Sequence, residues 1–137
     1  MKIDGVYEHY GHSKNHLRYH IILVTKYRKR CLDSIKEQVF DAFKECCIHS
    51  HIRIHYMNTD KDLIHLLVSF PPEYSLSQTI NRLKQFTTNY LYRTNNDYLR
   101  CFYYSKKKVL WTSGYFCSTI GMISESKVSE YIKNSGS

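Results

Sequence analysis

The stretch from His51 to Phe70, HIRIHYMNTDKDLIHLLVSF, decides the fold. Between His51 and Asp60, Ile52, Ile54 and Tyr56 alternate with His51, Arg53 and His55, the two-residue period of a strand with one solvated face. Leu63 to Phe70 is almost continuously apolar and reads as a central strand. Pro71-Pro72 ends it, because proline cannot donate to a sheet ladder. Asp60-Lys61-Asp62 turns the chain between the two, so they form a hairpin.

Working outward, Leu17 to Thr25 (LRYHIILVT) is rich in β-branched and aromatic residues and reads as a buried strand running into the basic loop Lys26-Tyr27-Arg28-Lys29-Arg30. Asp33 or Ser34 is placed to cap a helix whose apolar positions Ile35, Val39, Ala42, Phe43, Cys46 and Cys47 recur every three or four residues and which ends near His49. Beyond the hairpin, Ser75 or Ser77 opens a second helix with Leu76, Ile80, Leu83, Phe86 or Thr87, and Tyr90 or Leu91 on one stripe. Residues 93 to 108 read as a polar loop. Tyr115 to Ile120 (YFCSTI) is a fourth strand, and Ser124-Glu125-Ser126 opens a last helix with Val128, Tyr131 and Ile132. The order β-α-β-β-α-β is the split βαβ pattern. It predicts an α+β domain over residues 17–137, with a four-stranded antiparallel sheet, both helices on one face and an extra C-terminal helix, preceded by a polar arm over residues 1–16.

Composition narrows the class. The chain has 137 residues, the size of one domain, and its 42% hydrophobic and 23% charged content excludes a disordered chain. Lys plus Arg at 20 against Asp plus Glu at 12 gives a net charge of +8, which attracts polyanions, nucleic acid first. No apolar run is long enough to span a bilayer, and the first residues carry no signal-peptide core. A cytoplasmic protein with no membrane partner is expected. The 5 cysteines, without a CxxC pair, indicate reduced thiols rather than a disulfide framework or zinc finger. The 13 tyrosines suit either a polar core or a surface that stacks on bases.

Three features can carry chemistry, and each has a plain structural alternative. His65 shares a strand face with Leu63 and Leu67; it is either a hydrogen-bonded core residue or one ligand of a metal site on the sheet face that the helices leave open. Tyr131 on the last helix is either a packing ring or a covalent nucleophile toward a phosphodiester, its phenol assisted by a metal or cationic neighbours. Lys26, Tyr27, Arg28, Lys29 and Arg30, with Lys106, Lys107 and Lys108, are either solvated charge runs or phosphate contacts, with Tyr27, Tyr103 and Tyr104 free to stack on unpaired bases.

His20-Ile21-Ile22, Lys26-Tyr27-Arg28, Asp60 to His65, Trp111 with Gly114-Tyr115-Phe116, Ser118 to Gly121 and Tyr131-Ile132-Lys133-Asn134, in this order and spacing, resemble the single-tyrosine HUH transposases of small insertion sequences. The resemblance covers residues 16 to 134. It implies a ferredoxin-like, dimeric DNA strand transferase that cuts and rejoins single-stranded DNA at hairpin-containing element ends. Tyr131 matches the tyrosine that forms a 5′-phosphotyrosine and frees a 3′-hydroxyl. The family binds Mg²⁺ or Mn²⁺ through His-hydrophobic-His and a Gln one helical turn beyond the tyrosine. In this chain His65 matches the second His, whereas Leu63 stands at the first and Ser135 at the Gln position. Asp60 and Asp62 are hard oxygen donors nearby, although strand parity turns Asp62 away from the face of Leu63 and His65. A decayed copy, a DNA-binding derivative without catalysis, an enzyme with a rebuilt metal site and a deliberately inactivated protein all fit this pattern. Outside the family, a non-catalytic RNA-binding sheet has the same topology.

Overall fold

The computed structural model describes residues 17–119 and 132–134. Four strands, β1 (Tyr19–Val24), β2 (Arg53–Asp60), β3 (Leu63–Ser69) and β4 (Phe116–Thr119), form one sheet in the order β2-β3-β1-β4. Every neighbouring pair is antiparallel. Two helices, α1 (Lys36–Ile48) and α2 (Leu76–Arg100), supply the other layer. This is the expected split βαβ sheet. Residues 132–134 are helical, while Tyr131, Ser135, the expected cap at 124–126 and the 1–16 arm lie outside the described residues.

Alternation along the strands makes the two faces. Ile21, Leu23, Ile64, Leu66 and Val68 join Phe43, Ile80, Leu83 and Leu91 from the helices in one core. The intervening positions His20, Ile22, Val24, Leu63, His65 and Leu67 therefore point to the other face. The apolar run of β1 reflects burial on both faces, since Ile22 and Val24 are as inaccessible as their core neighbours, whereas Leu63, His65 and Leu67 of β3 are half-buried on the face away from the helices.

Of four local readings, three need correction and one, the cap of α2, is settled between its two alternatives. The simple alternation expected over 51–60 breaks at a bulge between Ile54 and Tyr56. The extra residue, His55, is buried and bonds Ser69 (Nε2 to Oγ, 2.9 Å), after which Met57 takes the core position. Neither Asp33 nor Ser34 caps α1: a 3₁₀ turn over Asp33–Ile35 leads into it, and Ile35 at the N-cap offers no side-chain acceptor. Ser75, rather than Ser77, caps α2 in a reciprocal capping box with Gln78.

The fourth concerns residues 93–100, expected as loop, which continue α2 to Arg100 through a non-helical Asn95. The weak helix propensity of Thr94-Asn95-Asn96-Asp97 is overridden by fully buried Leu99 and by the Tyr98 hydroxyl, which donates to the Cys31 carbonyl (2.8 Å). All five thiols are free. Cys31, Cys46 and Cys47 are buried, and burial raises the Cys31 thiol to about 11.

Candidate functional site

The sheet face away from α1 and α2 is built by register. His65 lies opposite Ile22 of β1 and Asn58 of β2, while His20 lies opposite Leu67 and Ser118. His20 and His65 are thus diagonal neighbours across β1 and β3. Their rings lie 5.2 Å apart between centroids, and His20 Nδ1 is 3.0 Å from His65 Nε2. One nitrogen must donate and the other accept, so at least one imidazole of the bonded pair is neutral. Burial lowers the pKa of both, and for His65 the neighbouring His20 charge lowers it further. Tyr56 meets the His65 ring edge to face at 5.6 Å.

His65 is thus hydrogen-bonded and half-buried, an arrangement that suits a structural histidine as well as a ligand. The expected metal position holds it, and its imidazole partner comes from β1. Sequence reading missed His20 in this role. Leu63 faces Val24 and Asp60 two residues nearer the turn and supplies no lone pair. Asp62 is engaged elsewhere, its Oδ2 accepting from Arg28 Nε at 2.9 Å, and Asp60 Oδ1 accepts from the Lys61 amide. Among the described residues, no group of three or more His, Cys, Asp or Glu side chains is gathered to hold an ion.

The basic loop follows β1 directly and is pinned on all sides. Thr25 bridges Trp111, its amide donates to the Asp62 carbonyl, and its hydroxyl donates to the Lys29 carbonyl. The Lys26 amide donates to Leu110, and the Lys26 carbonyl accepts from the Tyr103 hydroxyl. Inside this frame Tyr27 and Arg28 hold φ of 59° and 52°, left-handed values that cost about 1–3 kcal/mol each at non-glycine residues. The consequence is display: Tyr27 is 59% exposed, with Lys26 Nζ 5.5 Å from its ring centre.

Lys108 lies far along the chain but close to this loop in space, while Lys106 and Lys107 are exposed just before it. Lys26 and Lys108 line one cleft of about 640 Å³ with Asn81, Lys84, Gln85 and Asn89 of α2. Lys26 and Lys29 line a second, of about 410 Å³, with Tyr27, Tyr104 and Ser105. Tyr104 is 93% exposed. Lys26 belongs to both clefts, so Lys26, Lys29, Lys84 and Lys108 share one cationic surface set with displayed aromatic rings. The amide row Asn81, Gln85, Asn89 and the ammonium of Lys84 were not singled out in the sequence, although their i, i+4, i+8 spacing was there to read. Lys84 also donates to the Thr112 and Gly114 carbonyls, both at 2.8 Å, fixing the approach to β4. Arg30 is exposed beside the loop.

A helix-backed antiparallel sheet with an imidazole pair on the face away from α1 and α2 and a cationic, aromatic rim fits a DNA strand transferase. The chain belongs to the IS200-like transposase family, which it matches over residues 13–135. It is 29% identical over 125 residues to the transposase for insertion sequence element IS200 of Salmonella typhimurium, covering 90% of this chain and 80% of that protein, and to the same degree to the one of Salmonella typhi.

In structure it is similar to a Deinococcus radiodurans R1 protein assigned as a transposase, with a TM-score of 0.78 at 21% identity, covering 98% of this chain and 97% of the other. It is also similar to a REP-associated tyrosine transposase bound to a REP hairpin, with a TM-score of 0.54 at 11% identity over 85% of this chain and 62% of that one. Both bear on the fold. No helix among the described residues is long and apolar enough to cross a membrane.

Proposed function

We propose that this transposase binds single-stranded DNA carrying hairpin ends and, as a homodimer, cleaves and rejoins it through Tyr131. The Tyr131 phenolate attacks the scissile phosphorus and the bond to the 3′ oxygen breaks. The products are a 5′-phosphotyrosine and a 3′-hydroxyl, the phenol proton having passed to solvent or a base and the leaving oxygen taking one up. Rejoining reverses the step with a new 3′-hydroxyl. The observation that carries this reading is His65, on a central strand and facing away from both helices, where the family's metal-binding imidazole is expected.

Lys26, Lys29, Lys108 and Lys84 hold phosphates, and Tyr27 and Tyr104 stack on unpaired bases. Arg28, Arg30, Lys106 and Lys107 extend the positive field around them. His65 would hold a divalent ion, Mg²⁺ or Mn²⁺, which when bound would supply positive charge to the phosphate under attack.

The test is a labelled hairpin oligonucleotide incubated with protein and Mn²⁺. A covalent protein–DNA adduct that survives denaturation, and is abolished in Tyr131→Phe while binding persists, is expected. Binding without any adduct would leave a DNA-binding protein of the same fold, a reading favoured by Leu63 at a ligand position. Preference for single-stranded RNA over DNA hairpins would overturn both.

A further inference from the structure

We propose that His20 replaces Leu63 as the second imidazole ligand, so that a divalent ion is held between β1 and β3 rather than along β3 alone. The inference deepens the transposase reading and rests on it for the use of the ion, though not for its binding. Leu63 cannot ligate, and loss of one of two histidines from a single strand would leave His65 alone. The register prevents this, because a residue two places off the direct partner of His65 is a diagonal neighbour on the same face. That residue is a histidine, His20, with Nδ1 turned to His65 Nε2 at 3.0 Å.

The spacing fits ligation. Two nitrogens about 2.1 Å from one ion and at right angles about it stand about 3.0 Å apart, so the rings need only turn their lone pairs inward. Neutral imidazole binds through either ring nitrogen, and both rings are carried on paired strands that restrict their movement. Asp62 is tied to Arg28, and the two imidazole nitrogens that meet at 3.0 Å give the site a nitrogen character. Imidazole suits first-row transition ions, whereas Mg²⁺ prefers oxygen. The site therefore takes Mn²⁺, Co²⁺ or Zn²⁺ in preference to Mg²⁺. Its second ligand enters from the Leu67 side of His65, opposite to Leu63.

The experiment titrates DNA-free full-length protein with Co²⁺, Zn²⁺ and Mg²⁺ by calorimetry, and records imidazole NMR signals with substoichiometric Mn²⁺. Expected are one site per chain that prefers Co²⁺ and Zn²⁺ to Mg²⁺, loss of at least about tenfold in affinity in both His20→Ala and His65→Ala, and paramagnetic broadening of both rings in the native chain. Leu63→His placed in the His20→Ala background should restore binding, since it returns the second imidazole from β3. The proposal is overturned by native-like affinity in His20→Ala, by broadening of His65 alone, by failure of the rescue, or by no ion binding at all. Ion binding without adduct formation would instead count against the transposase chemistry and leave this assignment standing.

Discussion

Asp62 holds Arg28 through one 2.9 Å bond, with the guanidinium side chain 45% exposed and the carboxylate 13%. An ion pair this open contributes at most about 1 kcal/mol. Its larger effect is on charge, because Asp62 neutralises one arginine of the basic loop. Asp62→Asn should lower stability by no more than about 1 kcal/mol in urea titration while tightening binding to single-stranded DNA at low salt. Weaker binding would mean that Asp62 orients Arg28 for the phosphate rather than restraining it.

At the same scale, the His20–His65 contact could not be read from the sequence. The two residues are 45 positions apart, and only the β1–β3 register makes them diagonal neighbours. His65 was legible because its strand is local and its apolar neighbours betray the face. His20 sits at the start of a run whose second half is all aliphatic, with no local signal of a partner.

Among the elements, β3 and α2 illustrate the two outcomes of reading periodicity. The run LIHLLVSF maps onto Leu63–Ser69 because Ile64, Leu66 and Val68 fill the core while Leu63, His65 and Leu67 are half-buried on the opposite face, and the prolines enforce the end. The bulge in β2 left no such trace. Ile52, Ile54 and Tyr56 look like one face, yet the phase changes between Ile54 and Tyr56, putting the first in the core and the second beside His65.

The residue displaced inward by that bulge, His55, is held near pKa 4 by burial and, secondarily, by the charges of Arg18 and Arg53. A depressed histidine leaves the folded chain with fewer protons than the unfolded one. Its contribution is intact above about pH 6.5 and is lost as pH falls toward 4, by roughly 1–3 kcal/mol. Denaturant midpoints measured from pH 7.5 to 4.5 should fall more steeply for the native chain than for His55→Gln, which keeps a donor for Ser69 without the titration. Parallel curves would place the acid sensitivity elsewhere.

For the molecule as a whole, topology does what charge counting could not. The +8 balance announced a polyanion partner, but Lys26 and Lys108 lie 82 positions apart in sequence and share one cleft only because Thr25 bridges Trp111 beside them. If both ammonium groups sit on phosphates, Lys26→Ala with Lys108→Ala should reduce the slope of log affinity against log salt by about 1.4, from about 0.7 per single-strand contact. Fluorescence anisotropy with a labelled oligonucleotide at four salt concentrations measures it. An unchanged slope would move the DNA path off this cleft. The layout also separates labour between the layers, with the imidazoles on the sheet face away from α1 and α2 and the cleft along α2 on the other side.

The chain's single tryptophan stands at the joint between these parts. Its indole N–H donates to Thr87 Oγ1 at 3.0 Å, its ring meets Phe43 edge-on at 5.9 Å, and it also lines the cleft shared by Lys26 and Lys108. The protein thus carries a built-in optical gauge. Ultraviolet emission comes from one well-shielded indole, so a ligand entering the groove and the opening of the hydrophobic interior should each register there, free of the background that a second such fluorophore would add.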